Sequence, residues 1–405
     1  MPVPLHGLPA RLPEPAPPEQ RRWMVAIIGV AFATGFSIFL LWPAGHWRLT
    51  PWFWCCVVLL PIVVGMVVYG IRSLAYERRM EYVGRWNKDR SEQKALLVEQ
   101  GQRMIAVMAV AYNTPAGCSH LSLALRQGSK PLRAVYVPLY QSCYRMAQLT
   151  PVIGQPTLTE YHQRLSGFLT NISRTLTAEL KQMKAGKVHV RIRHNNVLND
   201  DVILKLWQES ACVDELSKAV EIAGAADGLL WLDQWLDKPD GRTTVLSIEI
   251  NLHLDPIDGE AETISAVLLS LPGTYCTKQL PPIAMVHRPV LAKEPLPALQ
   301  MARSWGRCDT AEVLPFIWSQ GVSTGRQAAI DIALVSSGFS YRQLHRYRMD
   351  DAFGNAGCAG GNLALITAAE QAATDSSPQL ILLQDKTLQW CVVRPAGAHF
   401  DKESI

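Results

Sequence analysis

Charged residues vanish from this chain twice near its start and then return in force. Residues 24–42 (MVAIIGVAFATGFSIFLLW) carry no charge over nineteen positions, and residues 52–71 (WFWCCVVLLPIVVGMVVYGI) none over twenty. At a helical rise of about 1.5 Å per residue, each run crosses a hydrocarbon core of about 30 Å. The second run follows the first after a nine-residue turn (PAGHWRLTP), which predicts a membrane hairpin and not a cleaved signal peptide with its shorter apolar stretch. Pro61 is tolerated in the second span because neighbouring groups re-satisfy the backbone it frees. Residues 73–102 are proline-free and charge-rich, with Leu74, Met80, Val83, Trp86, Leu96, Leu97 and Val98 interspersed. They predict a helical stalk over 73–103.

Beyond the stalk the pattern alternates between short apolar runs and longer amphipathic ones. Residues 104–112 (MIAVMAVAY) form a continuous apolar run, as in a strand buried on both faces. Residues 157–184 read as helix. Residues 187–193 (KVHVRIR) alternate strictly and predict a half-buried strand whose basic face, with Lys187, His189, Arg191 and Arg193, is solvated or paired with acids. Residues 200–224 read as one or two helices, and 229–236 (LLWLDQWL) as a further apolar segment. Residues 244–254 alternate again, with Ser247, Glu249, Asn251 and His253 turned outward. Residues 260–271 read as helix, and 283–291 as a strand that Pro289 would confine to an edge. The second half repeats the rhythm: strand 313–318, helix 324–335, strand 341–349, helix 359–373, and a closing hairpin at 380–383 and 388–394. Each half can be written β-α-β-α-β-β, so the chain predicts an α/β domain built by internal duplication, with two sheets between helical layers.

The flanking charges orient the hairpin. Arg11, Arg21 and Arg22 precede the first span, and Arg72, Arg78, Arg79, Arg85, Lys88 and Arg90 follow the second, whereas the turn holds only Arg48. The positive-inside bias puts both termini in the cytoplasm of a bacterial inner-membrane protein. Trp23, Trp42, Trp47, Trp52 and Trp54 lie where an aromatic belt belongs. Residues 1–22 form a cytoplasmic tail whose first twenty positions hold seven prolines, extended and mobile by composition. Net charge is +4, much of it beside the membrane, which points to lipid headgroups and away from nucleic acid. The nine cysteines include no CxxC pair, and neither a metal-ligand spacing nor a phosphate-cradling loop is present, so no cofactor or metal is expected.

Motifs in the second half resemble the thiolase-like ketosynthases, which join acyl chains through a cysteine nucleophile and two histidines. Residues 313–331 (VLPFIWSQGVSTGRQAAID) are similar to the family's strand, His-Gly-Thr-Gly-Thr turn and helix, with Gln320-Gly321-Val322-Ser323-Thr324 at the turn. Residues 355–369 (NAGCAGGNLALITAA) are similar to its Asn-x-Gly-His segment and small-residue helix, and the ending LILLQDKTLQWCVVRP to its closing hairpin. The resemblance implies a thiolase-like domain over 104–405, its halves meeting near 295–296. It places Gln320 and Cys358 at the two histidine positions and Asn355 at the motif asparagine. Ser210-Ala211-Cys212 resembles the nucleophile turn, but Val213, Asp214 and Glu215 replace the small residues a tight elbow needs.

Cys212, Gln320, Asn355 and Cys358 are therefore the candidate site residues, as relics of a set that lacks both imidazoles. Condensation needs an activated thiolate and donors for the thioester oxygen, and a glutamine amide donates but does not titrate. The Asp350-Asp351 pair reads as a solvated turn, with Arg342, Arg346 and Arg348 nearby. His194, His253, His287 and His345 stand isolated. The leading expectation is a pseudoenzyme: a membrane-anchored scaffold, adaptor or accessory subunit of a bacterial envelope assembly such as a type VI secretion system. Its partners are the lipid bilayer and proteins at the cytoplasmic face, with self-association left open. The alternatives are a tethered acyltransferase or ketosynthase acting on acyl thioesters, and an immunity or regulatory protein.

Overall fold

The computed structural model describes residues 3, 7–42, 50–149, 157–183, 188–212, 219–224, 227–273, 280–308, 314–339 and 344–397. Trp47, Arg48, Lys187, residues 213–215 and Arg342 lie outside that set. The chain divides into two compact units, Pro4–Leu97 and Val98–Ile405 with Met1–Val3.

In the first unit, α1 (Gln20–Leu41) and a longer helix are both long and apolar enough to cross a membrane. The longer one begins as α2 (Pro51–Trp54), passes through a π turn at Cys55–Leu59, and continues as α3 (Leu60–Gly101). Span and stalk are thus one helix. The π turn ends two residues before Pro61, which has no N–H for the Val57 carbonyl four residues earlier. Gly35 of α1 lies against that carbonyl, and a Cβ there would stand 2.7 Å from the oxygen. Gly65 against Ile27 and the Trp23–Tyr69 ring pair, 6.0 Å apart, keep the same antiparallel register.

The second unit is a duplication. Its first repeat contains β1 (Met104–Asn113), α4 (Leu121–Arg126), a separate hairpin β2 (Arg133–Val137) and β3 (Ser142–Met146), α5 (Leu158–Thr175), α6 (Thr177–Gln182) and β4 (Val188–His194). It closes with α7 (Asp200–Ser210), β5 (Val220–Ile222), α8 (Leu230–Asp237), β6 (Thr244–Asn251) and β7 (Thr263–Ser270). The second repeat runs β8 (Ala284–His287), β9 (Val290–Leu291), α9 (Pro295–Trp305), β10 (Phe316–Gln320), α10 (Thr324–Ser336) and β11 (His345–Arg348). It closes with α11 (Met349–Phe353), α12 (Gly360–Asp375), β12 (Gln379–Gln384) and β13 (Leu388–Pro395).

The spatial order is β11-β10-β12-β13-β8-β1-β7-β6-β4-β5, with β9 on β13. Read outward from the centre, both repeats place their strands in the same sequence: first, fifth, fourth, second, third. The pairings match too: β4 is parallel to β5 and β6 as β10 is to β11 and β12, and both closing hairpins are antiparallel. β1 and β8 pair antiparallel and weld the repeats into one continuous sheet, where two were expected.

Three expectations are corrected. Each repeat has five core strands, not four: Val220–Ile222 is a strand in the first, and the second begins with β8 at Ala284, ahead of the expected boundary at 295–296. Residues 263–270 form β7, not a helix: this eight-residue run is buried throughout between β1 and β6, where length favours a strand. Residues 283–291 split at Pro289, and β8 lies at the sheet's centre, with the proline beyond its end.

Alternate residues of β1 divide the core. Ile105 and Val107 join a cluster with α8 and α12, while Ala106 and Met108 join one with α5 and α7. α12 contacts β10, β12, β13, β8, β7 and β6. It thus reaches strands from both repeats. Twelve of its sixteen residues are buried, as befits a helix apolar or small on every side.

Candidate functional site

The start of α12 presses against the polar face of β4 and β6. Glycine makes the approach possible: a Cβ at Gly357 (φ 50°) would stand 2.7 Å from Asn251 Oδ1, and one at Gly361 3.1 Å from Glu249 Oε1. The faces read from sequence as outward are therefore interior. Arg191 and Arg193 are 6% and 7% exposed, and Glu249 is fully buried. Here α12 takes the place of solvent.

These charges form a network. Glu249 accepts the Asn362 backbone N–H at 2.7 Å, and its other oxygen lies 3.9 Å from Arg191. Arg191 donates to Ser247 at 3.3 Å, its guanidinium 4.5 Å from the Trp231 ring centre. Arg193 donates to Asp385 at 2.5 Å and to the Cys358 carbonyl at 3.2 Å. Asp385 also accepts the Gly228 N–H at 2.9 Å, while Asp227 takes Thr387 Oγ1 at 2.5 Å and Gln389 Nε2 at 2.9 Å. The turn ahead of α8 is thus tied to the β12–β13 turn. Burial pushes the Glu249 carboxyl up, with Arg191 and the Asn362 N–H opposing.

Three of the four expected site residues gather beside this network. Gln320 ends β10, buried, and donates to Asp350 Oδ1 at 2.7 Å. Asp350 also accepts the Gly321 N–H at 2.9 and 3.0 Å. It is half-buried, not solvated, and burial pushes its carboxyl up to about 6 against the pull of Gly321 N–H and Arg348. Asn355 is exposed, accepts the Gly357 N–H at 3.1 Å and donates to Glu260 at 3.3 Å. Cys358 donates its thiol to the Ile250 carbonyl at 2.9 Å, and burial pushes that thiol up to about 12. It is a neutral hydrogen-bond donor at neutral pH. A cavity of about 540 Å³ opens here, with Gly321, Asp350, Asn355, Gly357 and Asp385 in its lining.

An imidazole does stand near Cys358, supplied by a histidine that is isolated in sequence. Cys358 Sγ lies 3.7 Å from Asn251 Oδ1, Asn251 Nδ2 lies 3.3 Å from His253 Nε2, and that nitrogen lies 3.1 Å from Glu260. The amide separates thiol from ring, so the imidazole has no direct bond to the sulfur.

Cys212 is not part of the gathering. It follows α7, exposed, and its N–H donates to Ser173 of α5 at 2.7 Å. Those helices cover the sheet face opposite α12. The turn ahead of α8, the counterpart in the first repeat of the turn ahead of α12, contains Asp227 and Gly228.

No protein-family model matches the sequence, and no curated protein matches it. Solved structures do match in shape. A beta-ketoacyl synthase from Burkholderia phymatum aligns with TM-score 0.52 and 11% identity over 72% of this chain and 99% of that one. The ketosynthase from module 1 of the bacillaene synthase of Bacillus amyloliquefaciens aligns with TM-score 0.51 and 8% identity, over 73% and 77%. That from module 6 of the Bacillus subtilis bacillaene synthase gives 0.50 and 9%, over 72% and 70%. The fold is that of the thiolase-like ketosynthases. Ahead of it stand two helices apolar and long enough for a membrane.

Proposed function

We propose that this chain is a non-catalytic scaffold or adaptor: an accessory subunit anchored in a bacterial inner membrane with both termini cytoplasmic, serving an envelope assembly such as a type VI secretion system. The observation that carries the reading is the network at the α12 start. On this reading Asp227 and Gly228 take the place of the nucleophile turn and Gln320 and Cys358 those of the two histidines, while the Cys358 thiol donates to the Ile250 carbonyl and burial pushes it up. A glutamine amide and an un-ionised thiol supply neither nucleophile nor base. The fold is then kept for its surface, and the two apolar helices hold that surface at the membrane.

The second reading, an enzyme acting on acyl thioesters, draws on the cavity of about 540 Å³ lined by Asn355 and by Gly321 and Gly357, the chain neighbours of Gln320 and Cys358. One experiment separates the two. The full chain is cross-linked in native membranes and purified, and a second portion is incubated with an acyl thioester and mapped by mass spectrometry. Stoichiometric recovery of envelope-assembly proteins with no acyl adduct supports the scaffold. An acyl adduct on Cys358, or thioester turnover lost in Cys358→Ser, overturns it.

A further inference from the structure

The proline-rich tail, expected to be mobile, is bonded along the stalk. Arg90 Nε donates to the Pro9 carbonyl at 2.6 Å and Trp86 Nε1 to the Ala10 carbonyl at 3.4 Å. Asn87 holds Leu12 at both ends of its main chain, accepting its N–H and donating to its carbonyl, each at 3.0 Å. All four bonds address the backbone. An extended strand offers them because, unlike a helix, it leaves its own N–H and C=O groups unused.

Burial agrees with that conformation. Between residues 12 and 18, Leu12, Pro15 and Pro18 are half-buried and the residues between them are exposed. A spacing of three is the repeat of a polyproline II helix laid on one edge. On the stalk, the covered positions between 71 and 90 are Ser73, Tyr76, Val83, Trp86, Asn87 and Arg90, a single helical stripe. Val83, only 5% exposed, is the one fully buried residue of that stretch. The lengths match too. Nine polyproline II steps from Pro9 to Pro18 span about 28 Å, and seventeen helical steps from Ser73 to Arg90 about 26 Å.

We propose that residues 73–90 of the stalk are a peptide-binding site for an extended, proline-rich strand, read through its main chain by Trp86, Asn87 and Arg90. The chain's own residues 9–18 are the resident ligand. The site accepts the same class of peptide in trans once the tail is removed. A cis ligand, tethered here through the helices between residues 19 and 72, acts at an effective concentration above that of a free peptide, so it excludes weaker competitors.

The test uses the full chain in detergent micelles and a fluorescein-labelled synthetic peptide of residues 7–19. Deleting residues 2–18 is expected to raise the apparent affinity for the peptide at least about tenfold. Adding Asn87→Ala and Arg90→Ala to the deleted chain is expected to abolish that binding. Equal peptide binding with and without the tail, or binding indifferent to Asn87 and Arg90, overturns the proposal. A second arm does not depend on the deletion. Arg11 is the only trypsin site in residues 1–20, and its scissile bond leads into the Leu12 N–H that Asn87 holds. Asn87→Ala with Arg90→Ala in the intact chain should speed cleavage there about tenfold. An unchanged rate overturns the docked tail.

Discussion

The two repeats share a strand order but not an interior. Toward α12, β10 and β12 present Phe316, Trp318, Ile381 and Leu383, all in the apolar core. Their counterparts β4 and β6 present Arg191, Arg193, Ser247, Glu249 and Asn251, equally removed from water. One topology therefore accommodates two chemistries on opposite sides of the same helix. The apolar side packs by shape, and the polar side is held by specific bonds whose loss leaves an uncompensated charge.

That contrast breaks first at Glu249. Glu249→Ala strands Arg191 beside a buried cavity and should cost about 3–5 kcal/mol in thermal unfolding of the detergent-solubilised chain. Ile381→Ala, its apolar counterpart, should cost about 2–5 kcal/mol. The pair differ in what restores them: Glu249→Gln keeps an acceptor for the Asn362 N–H but not the charge facing Arg191, so it should recover only part of the alanine loss, about 1–2 kcal/mol. A glutamine as damaging as alanine would mean the charge itself holds the network.

Gly321→Ala should cost about 2–3 kcal/mol, because φ is 70° there and the new Cβ would stand 2.2 Å from the Gln384 carbonyl. Asp350 sharpens the comparison through pH. Its folded-state carboxyl titrates near 6, above the unfolded value near 3.9, so between about pH 4 and 6 the folded chain holds the extra proton. Stability from this group is present below pH 4 and is lost as pH rises through 6. Asp350→Asn should remove a slope on the order of 1–2 kcal/mol across that window. The smallest effects belong to the cysteines. Cys358→Ser should cost no more than about 1 kcal/mol and Cys212→Ser less than about 0.5 kcal/mol. Maleimide at neutral pH should label Cys212 and spare Cys358, as peptide mapping would show.

Much of this was legible in the residues. The apolar helical hairpin and the α12 helix with its glycine-rich entry follow from local patterns. The polar interior did not. Strict alternation in 187–193 and 244–254 tells which residues share a face, yet it is silent on whether that face meets water or another layer. Only the packing of Gly357 and Gly361 against β6 decides it. Strand β7 was misread because a fully buried strand loses the period-two signal, and β5 because three residues carry none. The bonds of Asp227 to the β12–β13 turn leave no local signal either, because their partners lie about 160 residues away in the chain.

The Pro61 region carries a consequence for anyone who exchanges the anchor. The π turn at Cys55–Leu59, the missing N–H at Pro61 and the contact of Gly35 with the Val57 carbonyl act like a key cut to one lock. A bulky residue at position 35 meets main-chain oxygen, which has no rotamer to yield. The two apolar helices are therefore one part, not two interchangeable rods, and a chimera that replaces either alone discards the index mark that sets their register.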